Sequence, residues 1–153
     1  MRRSLIIFYR NPGPFITIRR SSLLQIAEPV HIQTDGSFSP RNKNLSRTAV
    51  VLIKPDGKKF SLSNIYFDHI NSYESEWRSV LDGIEYGLKK KSKSINLEND
   101  NLAVMNSLIR REKPSGLYDD YYYLIMEYIN KLEYLGIRWI PRNMNKADKL
   151  FRI

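Results

Sequence analysis

Residues 30–38 read V-H-I-Q-T-D-G-S-F, and this stretch decides the fold. Apolar Val30 and Ile32 alternate with polar neighbours, and this two-residue period predicts a strand with one buried face. Asp35 lies near the end of the strand, where Gly36 indicates a turn or a bulge. Because sites in α/β sheets form beyond strand ends, Asp35 is a candidate site residue.

The composition fits one folded domain and limits the metals it could bind. The chain has 153 residues, 42% of them hydrophobic, which is enough for a sizeable core. It contains no cysteine, which excludes disulfides and cysteine-bound metals, and its two histidines, His31 and His69, cannot form a zinc site alone. Any metal would therefore be held by oxygen, which favours magnesium or manganese.

The charge balance points to a polyanionic partner. Twenty-five basic and sixteen acidic residues give a net charge of +9, which favours nucleic acid, although a merely basic soluble protein stays an alternative. No apolar run approaches the length of a membrane span, so we expect no membrane partner. We expect a cytoplasmic monomer.

The N-terminal segment predicts an extension in front of the main domain. Residues 4–9 and 15–20 have strand-like patterns on either side of R-N-P-G-P, a strong turn signal. We therefore expect a β-hairpin over residues 1–28. Its exposed side would carry three arginines, Arg10, Arg19 and Arg20.

Residues 29–153 predict one α/β domain. Three strands at 29–37, 46–54 and 58–67, joined by short turns, predict an antiparallel meander. Strand–helix–strand crossovers follow, and these normally make parallel pairs, so we expect a five-stranded mixed sheet flanked by helices. The later elements are helices at about 73–91, 100–110 and 117–134, strands at 94–97 and 137–140, and a short helix at 145–151.

Two helices carry apolar stripes that should face the core. In the helix at 73–91, Gly83 and Gly87 lie beside the stripe and lower helix propensity, which indicates close packing against a sheet. The stripe itself consists of Trp77, Leu81, Ile84 and Leu88. In the helix at 117–134 we expect Gly136 to follow the last turn. The inward residues there would be Leu117, Tyr121, Leu124, Tyr128 and Leu132.

Four motifs place carboxylates at the edges of these elements. They are T-D-G-S (34–37), E-S-E-W-R-S-V-L-D-G-I-E (74–85), L-E-N-D-N-L-A-V (97–104) and W-I-P-R-N-M-N-K-A-D-K-L (139–150). In this order, residues 29–151 resemble the type 1 ribonuclease H family and its reverse-transcriptase-like branch. The resemblance implies an RNase H-like fold and an endonuclease that cleaves the RNA strand of RNA–DNA hybrids.

The resemblance also implies which residues carry the chemistry. Asp35, Glu76, Asp100 and Asp148 would hold two Mg²⁺ ions, replaceable by Mn²⁺, at the scissile phosphate. Two hard cations can activate water and stabilise the leaving 3′ oxygen, which leaves a 5′-phosphate and a 3′-hydroxyl. Simpler roles stay open, because Asp35 could form a turn and Asp100 could cap a helix. Other acids are expected to be solvated, namely Glu74, Asp82, Glu85 and Glu98.

Substrate contacts follow from the same resemblance. Ser72 and Tyr73 stand where the family has an Asn-Asn pair, and the loop after Pro141 lacks the histidine of many members. Arg142, Asn143 or Asn145 would have to take a similar role. The expected nucleic-acid-binding residues are Ser37, Ser72, Tyr73, Asn101, Arg142 and Asn145. A nuclease of this fold acting on DNA junctions or structured RNA, or a silent nucleic-acid-binding domain, stays an alternative.

Overall fold

A computed structural model describes residues 12–23, 25–114 and 116–152 of the chain, with no side chain described for Arg152. Six strands form one sheet, and three α-helices flank it within these ranges. Strands are β1 (Ile16–Arg20), β2 (Val30–Ser39), β3 (Leu45–Ile53), β4 (Lys59–Tyr66), β5 (Ser94–Asn99) and β6 (Tyr134–Trp139). Helices are α1 (Ser72–Lys89), α2 (Leu102–Arg110) and α3 (Asp119–Ile129), with 3₁₀ turns at Gly116–Tyr118, Arg142–Met144 and Lys146–Arg152.

The sheet is mixed, as the sequence predicts. Its strand order is β1-β6-β5-β2-β3-β4. Strands β2, β3 and β4 form the antiparallel meander, whereas β2, β5 and β6 are parallel neighbours. The predicted mixed sheet, an antiparallel meander followed by parallel strands, is therefore confirmed. The carboxyl ends of β2 and β5 meet at one edge, which is where the candidate site lies.

The sixth strand comes from the N-terminal extension. β1 pairs antiparallel with β6, for example Ile16 with Ile137, so it widens the sheet instead of standing apart. The sheet thus has six strands, not the five expected. The partner strand expected at residues 4–9 and Arg10 lie outside the described residues, so the hairpin and the division at residue 28 stay predictions.

Helix α1 lies on the sheet at close range. A Cβ atom at Gly87 would lie 2.7 Å from Ile95 Cδ1 and 3.0 Å from Ile32 Cδ1, and one at Gly83 would overlap Thr34. The predicted reason for the two glycines, close packing against a sheet, is therefore confirmed. The buried stripe of α1 includes Trp77, Val80, Leu81 and Ile84.

The prediction for residues 117–134 was wrong in part of its buried face and in its end. Within α3 the buried residues are Tyr122, Ile125 and Ile129, whereas Leu117 is 69% exposed and Leu124 is also exposed. Of the other predicted inward residues, Leu132 is buried, and Tyr121 and Tyr128 are half-buried against the core. Both faces of this segment are apolar, so periodicity could not select the correct one. Helix α3 ends at Ile129, and Gly136 lies inside β6, where a Cβ would collide with the Tyr134 side chain.

The C-terminal 3₁₀ segment covers the sheet face opposite α1. Ala147 is fully buried against Ala49 and Val51, and Leu150 and Phe151 pack beside them. These contacts bring the end of the chain back to the edge where β2 and β5 finish. In the described part of the chain, no helix combines the length and apolarity needed to cross a membrane.

Candidate metal and nucleic-acid site

Two aspartates lie at equivalent ends of parallel strands. Thr34 of β2 and Asn99 of β5 form the last registered pair between these strands. Asp35 and Asp100 come one residue later, so the register places them side by side. Asn99, which is fully buried, joins the two ends, because its Nδ2 donates to Thr34 O (3.0 Å) and to Thr34 Oγ1 (2.9 Å).

Helix α1 brings the third carboxylate to these strand ends. Its N-cap is Asn71, whose side chain accepts from Glu74 N at 2.9 Å. The first turn of α1 lies against Gly36. A Cβ at Gly36 would lie 2.5 Å from the Ser75 carbonyl carbon, so only glycine fits there. Gly36 N donates to Glu76 Oε1 at 2.5 Å. The structure has no turn directly after Asp35, because β2 continues to Ser39; Gly36 is needed for the close approach of α1 to this strand.

Asp35, Glu76 and Asp100 form a compact acidic group. One carboxylate oxygen from each lies within 4.8 Å of the others. Asp35 is 6% and Glu76 is 7% exposed, whereas Asp100 is half-buried. The three line a cleft of about 520 Å³, and Asp148 lines the same cleft. Oxygen-only donors at this spacing suit a hard divalent cation.

Burial and mutual repulsion make these acids hard to ionise. Burial, followed by repulsion from Asp100, raises the pKa of Asp35 to about 7. Burial and the charge of Asp35 raise the pKa of Glu76 to about 9. Burial also raises the pKa of Asp100, against a hydrogen bond from Asn145 that lowers it. The group therefore holds protons at neutral pH unless positive charge replaces them.

Asp148 approaches from the C-terminal 3₁₀ segment. Its side chain is 15% exposed, and Arg142 Nη2 lies 3.7 Å from its Oδ1. It is near enough to raise the pKa values of Asp35 and Asp100. Among the described residues it does not belong to the 4.8 Å group, so it stands at the outer side of the acidic cluster.

Asp100 does not open a helix, contrary to the sequence prediction. Helix α2 begins at Leu102, and its N-cap is Asn101, whose side chain accepts from Val104 N at 3.1 Å. Asn99 Oδ1 in turn accepts from Asn101 N at 2.7 Å. Because Asn101 takes the capping role, the carboxylate of Asp100 is left to face the cleft.

The residues expected to contact nucleic acid separate into three groups. Tyr73 packs edge-to-face on Tyr118 and lines a neighbouring surface pocket outside the cleft. Asn145 is 3% exposed, and its Nδ2 donates to Thr34 O (2.8 Å) and Asp100 Oδ2 (3.3 Å), so it lies inside the site. The remaining four, Ser37, Ser72, Asn101 and Arg142, line the cleft.

Two acids expected to be solvated are buried instead. Asp82 is 3% exposed and accepts from Thr48 Oγ1 (2.6 Å) and Tyr66 OH (2.8 Å). Glu98 is 1% exposed and is bound by side chains of β2 and β6. Asp82 also pairs with Arg78 one helical turn earlier, at 3.0 Å, but the other partners lie on different strands, so local pattern gave no sign of the burial.

Sequence reasoning also missed two polar residues that support the site. Asn99 joins β2 to β5 as described, and Gln33 hydrogen-bonds to the loop that carries Asn145. The sequence did contain a signal for Gln33. Gln33 lies two residues before Asp35, so both side chains are on the same face of the strand. A polar side chain on a buried strand needs partners, and here they are part of the site.

Fold and acidic cleft together define an RNase H-like protein. A family described as reverse transcriptase-like matches residues 33–151. Because this match spans most of the chain, the protein belongs to the reverse transcriptase-like family of RNase H-like proteins. A comparison with curated proteins finds no match.

Solved structures share the fold at low sequence identity. RNase H1 from the halophilic archaeon Halobacterium salinarum is 20% identical with a TM-score of 0.72, covering 80% of this chain and 94% of its own. LC11-RNase H1, solved in complex with an RNA/DNA hybrid, is 16% identical with a TM-score of 0.69, covering 79% and 92%. A foamy viral protease-reverse transcriptase in complex with dsDNA is 17% identical with a TM-score of 0.67, covering 84% and 95%.

Proposed function

We propose that this protein is a divalent-metal-dependent endoribonuclease that hydrolyses the RNA strand of RNA–DNA hybrids and leaves 5′-phosphate and 3′-hydroxyl ends. The observation that carries the proposal is the acidic group of Asp35, Glu76 and Asp100, gathered within 4.8 Å at a cleft of a protein with net charge +9. A relative of the same fold, LC11-RNase H1, has been solved with an RNA/DNA hybrid.

The side chains present fit divalent cations. All donors are carboxylate oxygens, which Mg²⁺ and Mn²⁺ prefer, and no softer ligand competes in the described part of the cleft. Besides burial, mutual repulsion contributes to the raised pKa values of Asp35 and Glu76, and a bound cation would relieve that repulsion. Asp35, Glu76 and Asp100, with Asp148 at the outer side, would hold the ions. Two bound ions supply activation of water and stabilisation of the leaving oxygen.

The protein's own groups orient these ligands and receive the substrate. The Gly36 N–H fixes the Glu76 carboxylate, and Asn145 fixes that of Asp100. Arg142, with its side chain 79% exposed beside Asp148, can reach a phosphate that enters the cleft. Ser72 and Asn101 stand at the start of α1 and the cap of α2, where hydroxyl and amide groups can contact sugar or phosphate.

A three-substrate assay tests the proposal. Labelled RNA–DNA hybrid, duplex DNA and duplex RNA are incubated with Mg²⁺, Mn²⁺ or EDTA. We expect cutting of the RNA strand of the hybrid alone, dependent on either metal. Cutting of duplex DNA or structured RNA instead would favour the related-nuclease alternative, and metal-independent hybrid binding without cutting would favour the silent domain.

A matched pair of variants ties the activity to the site. Asp35→Asn keeps the size of the side chain and removes its charge, so we expect activity to fall more than about a hundredfold while hybrid binding persists. Asp120→Asn makes the same change at an exposed position of α3 and should leave the rate at the wild-type value. Equal rates for Asp35→Asn and wild type would overturn the assignment. The monomeric state and cytoplasmic location stay predictions.

A further inference from the structure

A buried carboxylate lies beside the candidate site and outside the acidic group. Glu98 of β5 accepts hydrogen bonds from Arg138 Nε at 2.5 Å, from Gln33 Nε2 at 2.9 Å and from His31 Nε2. Burial alone would raise its pKa, but these bonds outweigh burial and lower the pKa to about 2. Glu98 is therefore a fixed anion around which three neighbouring strands are ordered.

Gln33 extends this arrangement to the chain after β6. Its Oε1 accepts from Lys146 N at 2.8 Å, and its Nε2, besides donating to Glu98, lies 3.4 Å from Met144 O. Gln33 is 7% exposed, so these contacts are shielded from water. A single amide thus contacts the backbone on both sides of Asn145.

The loop held in this way supplies the candidate site. Asn145 donates to Asp100 Oδ2 at 3.3 Å, and its Oδ1 accepts from Ala147 N at 3.1 Å. Asp148 follows directly and lines the cleft. Displacing the backbone at Met144 or Lys146 would therefore move Asn145, which bonds to Asp100, and Asp148, which lines the same cleft.

We propose that Gln33, held by Glu98, is a positioning residue that sets the loop bearing Asn145 and Asp148 against the acidic group. The catalytic consequence rests on the proposed function, whereas the loop position can be measured without activity. Because Asn145 and Asp148 approach Asp100 from the same loop, loss of Gln33 should weaken cation binding and slow the chemical step more than substrate binding.

The test compares Gln33→Met with Gln25→Met, the same substitution at an exposed position before β2. Methionine at position 33 keeps the length of the side chain but removes both hydrogen bonds to the loop. Three readouts are needed: NMR amide exchange of Lys146 relative to the core amide of Ile32, Mn²⁺ affinity by calorimetry, and kcat and KM on the hybrid. If Gln33→Met does not fold, Gln33→Asn replaces it, because its shorter amide cannot reach both Glu98 and Lys146.

For Gln33→Met we expect about tenfold faster exchange at Lys146, about tenfold weaker Mn²⁺ binding and a kcat lowered about tenfold with KM within twofold. Gln25→Met should match wild type in all three. Unchanged exchange at Lys146, or faster exchange with wild-type Mn²⁺ affinity, would overturn the role of Gln33. Wild-type protein that binds Mn²⁺ without cutting the hybrid would end the proposed function alone, since exchange and Mn²⁺ affinity still decide the positioning role.

Discussion

Asp35 and Asp100 occupy equivalent positions on neighbouring parallel strands, each one residue beyond the last registered pair of β2 and β5, Thr34 with Asn99. Parallel register alone therefore brings together two carboxylates that are far apart in the chain. Helix α1 adds Glu76 across Gly36, so the acidic group is a product of backbone geometry. The charge and packing of the acidic group, and the buried Glu98 with its hydrogen-bond donors, have consequences that can be measured.

Glu76→Gln is expected to stabilise the metal-free protein at pH 8 by about 1–3 kcal/mol and to change it little at pH 5. The pKa of Glu76 is raised to about 9, so between its ordinary pKa and that value the folded protein keeps a proton that the unfolded chain releases. Wild-type stability therefore falls as pH rises through this window. The amide does not titrate and can still accept from Gly36 N. Denaturant unfolding in EDTA measures the difference.

Glu85→Gln serves as the control for this pH dependence. Glu85 lies on the same helix, where it pairs with Lys89 at 3.3 Å on the surface, so its loss should change stability by less than about 1 kcal/mol at either pH. If the two substitutions changed the free energy of unfolding equally at pH 8, the burial of an ionised Glu76 would not destabilise the folded protein.

Mg²⁺ or Mn²⁺ is expected to raise the unfolding temperature at pH 8, and to raise it less at pH 6. A cation must displace protons from Asp35 and Glu76, whose pKa values are about 7 and about 9, so its affinity increases with pH. At a concentration 100-fold above Kd the increase should be about 5–10 °C. Calorimetric or fluorescence melting measures it. In Asp35→Asn the metal should raise the unfolding temperature much less. An increase equal to that of wild type would show that the cation does not bind at Asp35.

Gly36→Ala is expected to destabilise the protein by about 1–3 kcal/mol and to weaken Mn²⁺ binding. The new methyl group would lie 2.5 Å from the Ser75 carbonyl carbon, so α1 must retreat and carry Glu76 away from Asp35. Gly116→Ala is the matched control, because a Cβ there meets no atom within 4 Å. Denaturant unfolding and calorimetry check both effects. Wild-type Mn²⁺ affinity in Gly36→Ala would show that cation binding does not depend on the close approach of α1 to Gly36.

Glu98→Gln is expected to destabilise the protein by roughly 3 kcal/mol at pH 7, because it leaves Arg138 without its buried anion. The pKa of Glu98 is lowered to about 2, so its contribution is present above the ordinary carboxyl pKa and is lost as pH falls toward 2. The difference between wild type and variant should therefore shrink between pH 5 and pH 3. A constant difference across that range would indicate that packing, and not charge, explains the loss.

Local pattern predicted the core strands, the helix with its packed glycines and Asp35, whereas Glu76 and Asp100 were predicted from the family resemblance of their motifs. The alternation around Asp35 and the small residues Gly83 and Gly87 are signals within one element, which is why they could be interpreted. Glu98 could not be placed in this way, because it is paired with Arg138, which is 40 residues away in the sequence although it lies on the neighbouring strand. The buried face of α3 was missed because both of its faces are apolar.

The extra strand β1 has a consequence for any shortened form of this protein. It pairs along β6, and the residues before it cover Arg138. The Phe15 ring centroid lies 4.2 Å from Arg138 Cζ, and Gly13 O accepts from Arg138 Nη1 at 3.3 Å. A chain trimmed to the family-matched region would bare the backbone of β6 and admit solvent to Arg138. Trimming would therefore expose an unpaired strand edge, to which another copy of the chain could pair.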